Sequence, residues 1–104
     1  MSGRRRVRVD SVFFADLDAQ LGESRGPRGE PSSTDFLVME LPTIADEFAE
    51  DFESLPALFP EREDYRILVT SGRLVAASSV IGQLVDVDTV VLLGIDLDLH
   101  HPPE

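Results

Sequence analysis

The densest run of side chains able to do chemistry is Asp96-Leu97-Asp98-Leu99-His100, followed at once by His101. On an extended strand Asp96, Asp98 and His100 project from one face, with neighbours ~6.6 Å apart. Two carboxylates and an imidazole are ligands for a divalent cation, and Asp86 or Asp88 can add oxygens. A straight strand spreads such groups along a line instead of gathering them round one ion, so a solvated strand face is the expected reading. No metal and no cofactor is implied. His100 and His101 are also the only imidazoles for acid–base work, but they stand before Pro102-Pro103 in a short tail. Ser78-Ser79 has no Gly-x-Ser-x-Gly elbow and reads as strand filler.

Two further groups stand out. Tyr65-Arg66 opens a strand, where an inward-leaning guanidinium can grip a carboxylate or phosphate. An exposed one would pair with an acid across the sheet, and that is the expected role. Asp46, Glu47, Glu50, Asp51 and Glu53 crowd one face of a helix, with no cation four residues on. Like charges at that spacing cost a few tenths of a kcal/mol per pair. Arginines were available, yet they lie in the N-terminal tail and a loop. The five acids are therefore expected to form a binding surface.

The charge balance narrows the function. The chain has 104 residues and a net charge of −11; four arginines in the first eight residues contribute +4, leaving −15 on residues 9–104. Such a body repels phosphate backbones, which disfavours direct nucleic-acid binding, and it disfavours anionic membranes as well. A basic protein partner is attracted. The absence of cysteine excludes disulfides and thiolate nucleophiles. The absence of lysine excludes Schiff-base chemistry and the phosphate-binding lysine of a P-loop. No apolar run approaches a membrane span, and no apolar stretch follows the basic start, so a cytoplasmic location is expected.

These groups need elements to hold them. Arg6–Val9 alternates as a strand. Asp10 or Ser11 can cap a helix with Phe13, Phe14, Leu17 and Leu21 on one side, stopped by Gly22. Residues 22–34 read as a mobile loop, and 1–5 and 100–104 as disordered tails. Leu37, Leu41, Ile44, Phe48, Phe52 and Leu55 form one helical stripe, capped at Ser33 or Thr34 and ended by Pro56. Pro42 predicts either a kink or a break with a new start capped by Thr43 and boxed by Asp46. Strands follow at Tyr65–Thr70, about Arg73–Val85, and Thr89–Leu99. A tight Ser71-Gly72 turn joins the first two, and Gly82 is a possible bulge. The first half of the last strand is apolar on both faces; its second half should point Ile95, Leu97 and Leu99 inward. The expectation is a single α+β domain: an N-terminal strand, two helices on one face, and a three-stranded antiparallel meander.

This order, together with Asp64-Tyr65-Arg66-Ile67-Leu68-Val69, resembles the RelE/ParE superfamily of small bacterial toxins. The resemblance implies that Arg66 matches the strand arginine that contacts the scissile phosphate in the ribonuclease members. His100 or His101 would match the tail position supplying a general acid, and Arg73 is the one nearby candidate for a second cation. The family's nucleases are generally basic, whereas this body is acidic. The expected function is thus a toxin–antitoxin-related, protein-binding module that engages a basic partner. The alternative is a ribosome-dependent mRNA endonuclease.

Overall fold

The computed structural model of the chain describes residues 4–22, 26, 31–71 and 75–98. Its elements are β1 (Arg6–Val9), α1 (Ser11–Gln20), α2 (Ser33–Met39), α3 (Leu41–Glu50), a 3-10 turn (Phe52–Ser54), β2 (Ala57–Phe59), β3 (Arg62–Ser71), β4 (Ala77–Asp86) and β5 (Thr89–Asp98). The class is α+β. The sheet is larger than a strand plus a three-stranded meander. It has five strands in the order β1-β5-β4-β3-β2, and β1 runs parallel to β5 at one edge. The other neighbours are antiparallel. The unexpected strand, β2, is only three residues long and lies between Pro56 and Pro60, too short to show a period.

The helices start where side chains satisfy their first N–H groups. Asp10 caps α1 by accepting from the Val12 N–H at 3.0 Å. Phe13 and Leu17 face the core, but Phe14 does not: it lies outside, edge-on to Phe13 with centroids 6.1 Å apart. Ser32, one residue before the expected cap, starts α2. Its hydroxyl accepts from the Asp35 N–H while Asp35 accepts from the Ser32 N–H, a reciprocal box. The apolar stripe then breaks at Glu40. Leu41 and Pro42 open α3, where the missing proline N–H costs nothing. The new start therefore falls before Pro42, and the Thr43–Asp46 box does not form. The buried stripe is Phe36, Ile44, Phe48, Phe52 and Leu55, with Leu37 and Leu41 packed at its margin.

The strands also depart from their expected limits. Ser71 pairs with Ala77, so β3 runs on to Ser71 and β4 begins at Ala77, later than the expected start near Arg73; the expected Ser71-Gly72 turn falls partly outside the described residues. The register slips at Gly82 because Ile81 pairs with Gly94 and Gly82 with Leu92, which leaves Leu93 as the extra residue on β5. Phe48 lies directly on the Gly82 backbone. A Cβ there would stand 2.6 Å from the ring, so α3 can approach the sheet this closely only over glycine. Ile95 is buried and Leu97 packs on the core, with Asp96 and Asp98 exposed, as the alternation predicts. Leu99, Gly72 and most of loop 22–34 lie outside the described residues.

α1 closes the edge of β5 beyond β1. The last main-chain bond from the β1 side is Asp10 N–H to Leu92 C=O, 3.0 Å. Further along, Gln20 takes over: its Nε2 donates to the Ile95 carbonyl at 2.8 Å and its Oε1 accepts from the Leu97 N–H at 2.6 Å. One side chain thus does the work of a strand's next residue.

Candidate functional site: the acidic face of α3

Residues 46–53 sit at the C-terminal half of α3 and on the turn after it, held by Phe48 and Phe52 on the buried side. Asp46, Glu47, Glu50, Asp51 and Glu53 are all exposed. No cation on the helix pairs with them, as the spacing indicates, but two from the N-terminal segment do. Arg4 Nη2 donates to Asp46 Oδ1 at 2.7 Å and lies 3.6 Å from Glu50 through Nη1. Arg5 grips Glu53 with both arms of its fork, Nη1 to Oε1 at 2.9 Å and Nη2 to Oε2. Arg4 and Arg5 are thus placed against the helix, where the sequence led us to expect a loose tail.

The backbone sets that geometry. The Arg5 N–H donates to the Ala49 carbonyl at 2.9 Å and the Arg6 N–H to Asp88 at 2.6 Å, which lays the segment along the end of α3. The Arg5 guanidinium stands 5.6 Å from the centroid of the Phe52 ring, within cation–π range. The hydrogen bond from Arg5 holds the Glu53 carboxyl below its usual range, and the Asp46 bond raises Arg4 further. Glu47 and Asp51 have no side-chain partner among the described residues. A cleft of about 790 Å³ adjoins the paired acids, lined by Arg4, Arg5, Glu50, Glu53, Val87 and Asp88.

The other candidates are arranged differently. Arg66 neither lies free nor pairs with an acid across the sheet. Its Nε donates to the Glu63 carbonyl at 2.9 Å and its Nη1 to the Leu55 carbonyl at 2.8 Å, with Phe52 5.5 Å away. It ties the turn after α3 to β3. Arg73, His100 and His101 lie outside the described residues. Asp96 and Asp98 are exposed on β5, while Asp86 and Asp88 sit at the opposite end of that strand. There Asp86 accepts from the Val87 N–H and Asp88 from the Thr89 hydroxyl. Among the described residues, no three potential ligands gather as a metal site. A separate ion pair joins Arg62 to Asp64 at 2.8 Å, and Gln83 also donates to Asp64. The Arg62 bond, then the Gln83 bond, hold this carboxyl well below the usual range.

Sequence reasoning found the acidic face but missed Arg4 and Arg5 as its partners. The available signal was compositional: an arginine-rich start, free of acids, on a body of −15. No protein-family model matches the chain, and neither does any curated protein or solved structure. No described helix is long and apolar enough to cross a membrane.

Proposed function

We propose that the chain is a protein-binding module whose α3 face receives an arginine-rich segment of a basic partner. One observation carries this reading: the face already accepts two guanidinium groups, and Arg5 is held by a bidentate fork on Glu53. Bidentate carboxylate contacts favour arginine over lysine by geometry as well as charge. Glu47 and Asp51, with no side-chain partner among the described residues, extend the acceptor row beyond what Arg4 and Arg5 occupy. The toxin–antitoxin setting, a RelE/ParE kinship and a cytoplasmic location rest on the sequence reading alone. The ribonuclease alternative is weaker, because Arg66 is engaged by main-chain carbonyls.

The test is a titration with a labelled arginine-rich peptide, set against a lysine peptide of equal length. Binding should be tighter to arginine and should fade as salt rises. Glu47→Arg combined with Glu50→Arg should weaken it about tenfold or more without unfolding the protein. Equal affinity of the wild type and the double reversal would remove the α3 face from consideration.

A further inference from the structure

The cations on the acidic face of α3 come from the chain itself, so what holds them there decides whether they can leave. Sheet pairing of β1 begins at Arg6, which sits beside Thr89. Arg4 and Arg5 precede that point. Among the described residues one main-chain bond joins them to α3, from the Arg5 N–H to the Ala49 carbonyl. Ala49 stands in the last turn of the helix, where carbonyls lack a partner within the helix and water can serve them. Arg4 reaches Asp46 at 2.7 Å and Glu50 at 3.6 Å, and all three side chains are more than half exposed. Ion pairs this open to water are individually weak. Arg5 is held more closely, by Glu53 and Phe52. Its Nε, however, is closed off from solvent and has no hydrogen-bond acceptor among the described residues. A buried donor without an acceptor opposes the docked state. Lifting the segment at the Arg5–Arg6 junction would return that donor to water and leave the sheet register untouched.

The segment also covers only part of the face. It takes Asp46, Glu50 and Glu53, whereas Glu47 and Asp51 have no side-chain partner among the described residues. A ligand with more than two guanidinium groups can therefore engage more of the five acids than the chain's own pair does. The cleft of about 790 Å³ lined by Arg4, Arg5, Glu50, Glu53, Val87 and Asp88 gives such a ligand room to enter. The tether works in the opposite direction. A covalently linked segment acts at an effective concentration on the order of millimolar, so weak pairs keep it docked until a stronger competitor arrives.

We infer that Arg4 and Arg5 form an intramolecular mask over the α3 face, displaced when an arginine-rich partner segment of higher charge binds. The inference rests on the reading of that face as an arginine-binding surface. It adds a threshold to that reading. A segment offering only two cations competes against an equal pair already in place, and loses to the tether. Apparent affinity falls by the fraction of molecules in which the face is open.

Titration of a labelled hexa-arginine peptide into the full chain tests this, with salt of about 0.15 M to screen long-range charge. Arg4→Ala combined with Arg5→Ala should bind about tenfold more tightly than the wild type, the factor for a mask docked about nine-tenths of the time. Arg4→Ala alone removes only exposed pairs; it should also bind more tightly, and it decides the matter if the double variant does not fold. Loss of two positive charges attracts any cationic peptide. The control is therefore Arg6→Ala combined with Arg8→Ala, an equal charge change at exposed positions on β1, which should leave affinity nearly unchanged. In hydrogen exchange followed by NMR, saturating peptide should strip protection from the Arg5 N–H of the wild type and spare that of Arg6. Equal affinities across wild type, mask variants and control would overturn the mask and leave the α3 reading standing. So would equal tightening in the control, or a bound state in which the Arg5 amide stays protected. Peptide binding by none of these proteins would overturn the mask and the α3 reading together.

Discussion

The side-chain amide of Gln20 stands where a strand residue would stand, with its Oε1 accepting from the Leu97 N–H at 2.6 Å. Its Nε2 returns a hydrogen bond to the Ile95 carbonyl, so donor and acceptor of one amide satisfy two main-chain groups on the edge of β5. The edge is left in need of this because β1 stops at Val9 and the chain turns into α1 at Asp10. Removing one side chain therefore exposes two polar main-chain groups that α1 keeps partly from water.

Gln20→Ala should lower unfolding free energy by about 1–3 kcal/mol, the range for leaving such groups unpaired. Urea denaturation would measure it. Gln20→Glu keeps the acceptor for Leu97 but sets a carboxylate against the Ile95 carbonyl. It should be the worse variant at neutral pH and recover as the carboxyl is protonated. A Gln20→Ala protein as stable as the wild type would show the bonds to be dispensable.

Gly82→Ala should destabilise by about 1–3 kcal/mol, as overpacking does, because its methyl would meet Phe48 at 2.6 Å. The cause can be isolated. In a double-mutant cycle, Phe48→Leu should cost less in the Gly82→Ala background than in the wild type, since it removes the ring carbons the methyl strikes. Additive costs would mean that the two positions do not interact.

The Arg5–Glu53 pair should give stability a defined pH window. The folded Glu53 pKa is depressed, so its contribution is fully present above the ordinary glutamate value of 4.5 and is lost as pH falls through the lower folded value. The gap between the wild type and Glu53→Gln should accordingly be constant near neutrality and close below about pH 4.5. Thermal melts from neutrality downward would trace it. A gap independent of pH would mean the carboxylate's charge is not what Arg5 recognises.

Arg66→Ala should cost about 1–3 kcal/mol, since the Leu55 and Glu63 carbonyls lose their donor. Arg66→Lys should restore only part, because a point ammonium cannot replace a planar fork that reaches both carbonyls. Unfolding midpoints of the two variants decide this. Were induced expression to arrest growth, and Arg66→Ala to relieve the arrest with an unchanged midpoint, the residue would belong to catalysis instead.

Periodicity made the central strands and the α3 stripe legible, because burial on one side forces repeats of 2 and 3.6 residues. It could not reveal β2, whose three residues show no repeat, nor the position of the break near Pro42. That break depends on Glu40 and Leu41 finding room to turn, which is a tertiary matter. Phe14 was misplaced for a related reason: it follows Phe13 directly, and neighbours in a helix cannot share one face. The α3 acids were evident from their spacing. Their partners were not, since Arg4 and Arg5 lie 42 and 48 positions from Asp46 and Glu53. Ion pairs of that span leave no local signature.

The parallel pairing of β1 with β5 sets the order in which this chain can be completed. Arg6 sits beside Thr89 and Val9 beside Leu92, so the first strand made has its sheet partner in the last. During synthesis the β2–β4 hairpins can form as they emerge, but β1 must wait with its hydrogen-bonding edge unmet. Closing so long a loop adds few kcal/mol yet delays the final step, as non-local pairing generally does. Until β5 arrives, the Arg-Val-Arg-Val segment has no sheet neighbour of its own to pair with.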